Sequence, residues 1–205
     1  MNAEPTVFVV DDNLGVRNSL RALMKSAGLA VETYESGEEF LGAYDPERPG
    51  CLVLDVRLRA GASGLDVQDE LRARNATLPI IVLTGHGNVP ISVRAMKAGA
   101  IDFLQKPVAP KVLVERIRAA IEADRCAREA AIEHNDVRDR LERLTPRERE
   151  VMALLVDGKT TKEIAYDLHL SARTVEAHRR TVLRKMNVTS AAQLVRIVIA
   201  TSGAS

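Results

Sequence analysis

The first 121 residues alternate two patterns of apolar and polar positions. "TVFVV" (6–10), "LAVET" (29–33), "CLVLD" (51–55), "PIIVLT" (79–84) and "AIDFL" (100–104) are short runs rich in Val, Ile and Leu. Few polar residues interrupt them, which predicts strands covered on both faces, as in a parallel sheet. Between them the apolar positions recur at helical spacing. Val16, Leu20, Leu23 and Met24 share a face within 14–28, as do Leu65, Val67 and Leu71 within 63–74. Residues 36–44 and 89–99 read as further helices, the second closed by Gly99 as a C-cap. A fifth starts at Pro110 and points Val114, Ile117 and Ile121 one way. Ser63 followed by Asp66 has the spacing of a capping box. Five strands alternating with five helices predict a doubly wound α/β domain over residues 1–121.

Residues 122–143 are charged and helical in character, and read as a linker, a helix running on from the first domain. Residues 144–205 contain no strand pattern and predict a small all-α domain of four helices. The first has Thr145, Pro146 and Glu148 at its start and Gly158 past its end, the usual start and stop chemistry. Thr160 and Glu163 form a second capping box, and Ser171 is the N-cap of the third helix. The tight joint "HLSA" between the second and third helices has helix-turn-helix spacing.

Charge changes this picture by its distribution. The net formal charge of the chain is +1, yet residues 1–125 carry 15 Lys and Arg against 17 Asp and Glu, and residues 145–205 carry 10 against 6. The basic excess belongs to the last domain and suits a polyanionic partner or an ordinary solvated surface. Cys51 and Cys126 are the only cysteines; they match no metal-ligand spacing and make no disulfide framework. A buried free thiol at Cys51 and a reducing, cytoplasmic setting are expected. No basic segment with an apolar stretch of signal-peptide length opens the chain. No run approaches the ~20 apolar residues of a membrane span, so no membrane partner is expected.

The candidate chemistry lies at the strand ends. In open α/β sheets ligands bind beyond the carboxyl ends of the strands. Asp11 and Asp12 end the first strand, Asp55 the third and Thr84 the fourth, and Lys106 follows the fifth. Singly, these are ordinary cap, turn and surface residues. Together they bring three carboxylates, a hydroxyl and an ammonium to one edge. Such a cluster calls for a hard cation, and Mg2+ suits an all-oxygen site. A cation beside one exposed carboxylate makes a phosphoryl acceptor.

"VVDDN", "CLVLDV", "IVLTGHG" and "AMKAGAIDFLQKP" occur in order and at matching intervals. In these motifs residues 5–121 resemble the receiver domain of two-component response regulators. The resemblance implies that Asp55 is phosphorylated, with Asp11, Asp12 and the backbone carbonyl of Arg57 around Mg2+. It implies that Thr84 and Lys106 hold phosphoryl oxygens, that Lys106–Pro107 is a cis peptide and that Phe103 is an aromatic switch coupled to Thr84. Two positions and one loop depart from the family pattern. Arg59 stands where a Pro is usual, the loop through Arg59–Ala62 is one residue longer, and Val108 replaces a common Phe.

The third helix of the tail turns Val175, Val182 and Met186 inward on a helical wheel and leaves Arg173, Thr174, His178, Arg179 and Lys185 to face outward. A helix of this width enters the DNA major groove. The stretch "LTPREREVMALLVDGKTTKEIAYDLHLSARTVEAHRRTVLRKMNV" resembles the LuxR-type four-helix DNA-binding domain. By that resemblance Thr174, Val175, His178 and Arg179 lie at the groove, and Lys162, Arg173 and Lys185 near phosphates. Glu148 braces the scaffold. Thr161 stands where an Asn is usual. Val188, Leu194, Val195 and Val198 make either a dimer face or part of the bundle core.

The joint resemblance implies a transcription regulator, with activation the commoner outcome. Its expected partners are a sensor histidine kinase, double-stranded promoter DNA, RNA polymerase and a second copy of itself upon phosphorylation. Enzymatic activity beyond self-phosphorylation and slow self-dephosphorylation is not expected. The alternatives are a phosphoryl sink or adaptor whose tail binds protein, and a metal-dependent phosphatase.

Overall fold

The computed structural model describes residues 4–58, 63–85 and 89–202. The loop Arg59–Ala62 and His86 and Gly87 of the "GHG" motif lie outside the described residues. The chain divides into two compact units, Met1–Arg128 and Glu129–Ser205.

In the first unit, β1 (Thr6–Val10), β2 (Ala30–Tyr34), β3 (Gly50–Leu54), β4 (Ile80–Thr84) and β5 (Asp102–Gln105) form one sheet in the order β2-β1-β3-β4-β5. Every neighbouring pair is parallel. The helices are α1 (Leu14–Ser26), α2 (Gly37–Ala43), α3 (Gly64–Ala73), α4 (Val89–Lys97) and α5 (Pro110–Glu142). Successive side chains of a strand point to opposite faces, and the strands are apolar on both. Val7 and Val9 of β1 pack with Leu20 and Met24 of α1 and with Leu113, Ile117 and Ala120 of α5. Phe8 and Val10 pack with Phe40 of α2, Val67 and Leu71 of α3 and Ala95 of α4. The doubly wound parallel sheet expected from the sequence is thus observed. Cys51 is a free thiol in this core, pushed up to about 12 first by burial and then by the charge of Asp124.

Local chemistry explains where the helices begin. Asn13 caps α1 by accepting from the N–H groups of Gly15 and Val16. Ser63 and Asp66 form a reciprocal capping box at α3. Gly64 is required there, because a Cβ would lie 2.1 Å from the carbonyl oxygen of Asp55. The start of α3 is thereby pressed against the loop that carries Asp55, and Gly64 N–H donates to the Val56 carbonyl at 3.0 Å.

The expected linker 122–143 is the later part of α5, which runs without interruption from Pro110 to Glu142. Asp124, almost fully buried, accepts from Gly50 N–H and from Arg128 Nε, both at 2.9 Å. Arg128 also donates to the Arg48 carbonyl at 3.0 Å. These bonds hold the helix to the first unit beyond residue 121. Val137 and Leu141 pack instead into the core of the second unit.

That second unit adds α6 (Pro146–Val156), α7 (Thr161–Asp167), α8 (Ala172–Lys185) and α9 (Ala191–Ser202). Capping boxes open α6 at Thr145 and Glu148 and α7 at Thr160 and Glu163. Val151, Leu155, Ile164, Val175, Val182, Met186 and Leu194 form its core. Leu194 therefore closes the bundle, and Val188 and Val198 pack on the same core.

Candidate functional site

The sheet order explains why distant residues meet. β1 and β3 are central neighbours in register, Val10 beside Leu54, so Asp11 and Asp55 leave the sheet side by side. Thr84 ends β4, and Lys106 N–H donates to its carbonyl at 2.8 Å. The Lys106–Pro107 bond is cis.

Lys106 Nζ donates to Asp11 Oδ2 at 2.6 Å and to Asp55 Oδ2 at 2.7 Å. The Asp11 side chain is 3% exposed, that of Asp55 12% and that of Lys106 23%. Burial pulls the Lys106 ammonium down. The hydrogen bonds and charges of the two carboxylates outweigh it and hold the group above the ordinary lysine value. The other oxygens are also held: Asp11 Oδ1 accepts from Asn13 N–H at 2.9 Å and Asp55 Oδ1 from Arg57 N–H at 3.1 Å. Asp12 is half-buried, Thr84 fully buried and Arg57 exposed. Phe103, opposite Val82 in the sheet, is half-buried and packs against the core on the α2–α4 side.

One residue in this region carries no motif signal. Arg17 of α1 is buried, donating from one terminal nitrogen to the Asp11 carbonyl at 2.6 Å and from the other to Glu35 at 3.1 Å. Its trace in the sequence is positional: a cation on the inward stripe of α1, three residues before Leu20 and seven before Met24.

Among the described residues no group of three or more His, Cys, Asp or Glu side chains is arranged to hold a metal ion. The structure brings two of the three expected carboxylates, Asp11 and Asp55, onto one ammonium. Two hard oxygen donors sharing a cation suit a divalent ion of the Mg2+ type.

In the second unit α8 packs on α6 and α7, as the second helix of a helix-turn-helix does. Ser171 caps α8 and accepts from Thr174 N–H at 3.0 Å; its hydroxyl also pairs with that of Thr174 at 2.7 Å. Arg173 is exposed, and Thr174, His178 and Arg179 are half-buried. Lys162 of α7 is exposed. Two residues depart from their expected place. Val175 has no exposed surface and belongs to the core, so its side chain does not face a groove. Lys185 is turned inward, donating to Glu148 Oε2 at 2.7 Å and to the Arg143 carbonyl at 3.1 Å. Conversely, Arg180 and Arg184 are exposed and continue the stripe of Arg173. They were not among the expected contacts; the signal that finds them is helical periodicity, since 173, 177, 180 and 184 share one face.

Known families account for both units. A model of the response regulator receiver domain matches residues 7–118, and one of the luxR family of bacterial regulatory proteins matches residues 142–198. The chain belongs to the two-domain response regulators, with an N-terminal receiver and a C-terminal LuxR-type helix-turn-helix domain. Within that class it is 45% identical over 191 residues to nodulation protein W of Bradyrhizobium diazoefficiens, covering 93% of this chain and 84% of that protein. It is 45% identical over 195 residues to the transcriptional regulatory protein FixJ of Azorhizobium caulinodans, covering 94% and 91%. The solved structure of the response regulator StyR superposes with a TM-score of 0.87 at 42% identity, covering 96% of this chain and 98% of that one. Among the described residues no helix is long and apolar enough to cross a membrane.

Proposed function

We propose that this protein is a phosphorylation-controlled transcription regulator whose receiver accepts a phosphoryl group on Asp55 from a sensor histidine kinase. The observation that carries this reading is the position of Asp55. Its carboxylate is near the surface, yet one oxygen is fixed by Lys106 and the other by Arg57 N–H. A nucleophile held this way needs little reorganisation to attack. In the transfer, the P–N bond of a phosphohistidine breaks and a P–O bond to Asp55 forms. The nitrogen keeps the electron pair and takes a proton. Lys106 then has a phosphoryl oxygen to bond as Asp55 gains negative charge.

Asp11, Asp12, Asp55 and the Arg57 carbonyl would hold Mg2+. When bound, the ion neutralises negative charge on the transferring oxygens. Thr84, buried and joined through its carbonyl to Lys106 N–H, would bond a phosphoryl oxygen. Phe103, packed at the edge of the same core, would follow it. In the tail, exposed Lys162, Arg173, Arg180 and Arg184 would meet phosphates, while Thr174, His178 and Arg179 reach base edges. Similarity to proteins named as transcriptional regulatory proteins supports a role in transcription and so promoter DNA as a partner. RNA polymerase as a partner, activation as the outcome and a phosphorylated dimer as the binding form belong to the proposal alone.

Incubation of the full chain with acetyl phosphate and Mg2+ is expected to place one acid-labile phosphoryl group on the receiver. Asp55→Asn should abolish it. Full labelling of that variant would refute the acceptor assignment. A gel shift with genomic duplex fragments separates a DNA-binding tail from one that binds protein.

A further inference from the structure

The peptide between Asp11 and Asp12 decides where two neighbouring carboxylates point, and each polar group of Asp11 has a partner. Its N–H donates to the Tyr34 carbonyl at 3.3 Å. Its two side-chain oxygens accept from Asn13 N–H and Lys106 Nζ. Its carbonyl accepts from Arg17 at 2.6 Å. The carbonyl bond alone comes from a charged side chain on a helix, and Arg17 is anchored at its far side by Glu35, which is 72% exposed. Arg17 therefore divides its two terminal nitrogens between one buried backbone oxygen and one exposed carboxylate.

We infer that Arg17 is a positioning residue for the cation site: by holding the Asp11 carbonyl it fixes the peptide that sets Asp11 and Asp12 toward a divalent ion. The inference rests on the metal site proposed above. It is separable from simple electrostatics by sign. A nearby fixed cation repels a divalent ion, so if charge were its only influence, removing Arg17 would tighten metal binding. If Arg17 acts by orienting the peptide, removing it loosens metal binding. Residues that orient metal ligands from behind commonly change affinity by about 10–100-fold.

The test is titration of the full-length chain with Mn2+, a hard oxygen-seeking ion of similar preference. Free Mn2+ is counted by electron paramagnetic resonance, with Mg2+ competition and a metal-free thermal midpoint for each variant. Wild type is expected to bind one Mn2+ that Mg2+ displaces. Arg17→Met should raise its Kd by roughly tenfold. Arg17→Lys, which keeps the charge but not two diverging donors, should fall between. Glu35→Gln, at an exposed pair, should change Kd by less than about fivefold. An unchanged Kd in Arg17→Met shows a packing role only and overturns the inference, as does a lower Kd. If Arg17→Met does not fold, an Arg17→Lys chain with wild-type Kd overturns it equally. Failure of wild type to bind displaceable Mn2+ removes the metal site itself, and is distinct from any change at Arg17.

Discussion

Two carboxylates that share one ammonium form a balanced but unsaturated arrangement. Lys106 leaves Asp11 and Asp55 with one formal negative charge between them, and Asp12 lies next in the chain. That residual charge favours a further cation over an anion, so under the proposed function a phosphoryl group would gain entry more readily with a metal than alone. At the same scale, the tail shows how a single side chain can be confused with its neighbours. Val175 lies between Thr174 and Glu176 on the helix, yet has no exposed surface. Val175→Ala is expected to lower the stability of the helical unit by roughly 2 kcal/mol. It should change duplex affinity only in proportion to the folded fraction. Thermal melts and duplex titration well below the melting point check this; a large affinity loss in fully folded protein would return Val175 to the groove.

At the scale of elements, the starts of α1, α2, α3, α6, α7 and α8 read from local side chains, and one of the capping residues does double service. Glu148 accepts from Thr145 N–H at 2.8 Å within its capping box and from Lys185 Nζ at 2.7 Å, joining α6 to the end of α8. The Lys185 bond first, then the Thr145 bond, holds its carboxyl below the ordinary value of 4.5. A lowered carboxyl pKa contributes stability that is present above the unfolded value and lost as pH falls through the folded one. Glu148→Gln should therefore cost about 2 kcal/mol at neutral pH. The gap to wild type should narrow as pH drops below 4.5, the ordinary carboxyl value. Denaturant melts of the helical unit's transition at pH 7 and pH 4 measure it; a gap independent of pH would deny the ionic contribution. The same element scale shows what the sequence made legible. The strands read correctly because runs such as "CLVLD" are apolar on both faces, and parallel pairing then gathers Asp11 and Asp55. That the last helix of the first domain runs on through the linker was legible as well, and α5 does so to Glu142; what holds it to the first unit was not. Asp124 and Arg128 look like solvated charges in a linear string, whereas their partners, Gly50 and Arg48, lie more than seventy positions away. Arg17 stayed hidden for a similar reason, since one partner is a backbone oxygen that leaves no trace in residue type and the other, Glu35, lies 18 positions along the chain.

For the whole molecule, the proposed function poses a physical question: how a phosphoryl group on one domain would alter the affinity of another. The tail presents Lys162, Arg173, Arg180 and Arg184 as exposed cations on α7 and α8. Each cation that neutralises a phosphate releases counterions, and the slope of log K against log salt is about −0.9 per contact. One tail meeting DNA through these four would show a slope of about −3 to −4, and two tails on paired half-sites about −7. Release of a masked tail raises affinity without changing the number of contacts, so the slope stays the same. Pairing of two chains changes both. Full-length protein, with and without acetyl phosphate and Mg2+, is expected to show a near doubling of the slope on phosphorylation, measured by duplex anisotropy across a salt series. Asp55→Asn should keep the single-tail slope under both conditions. A gain in affinity at constant slope would show that phosphorylation unmasks one tail, and the dimeric binding form would then be discarded while the acceptor role of Asp55 stood.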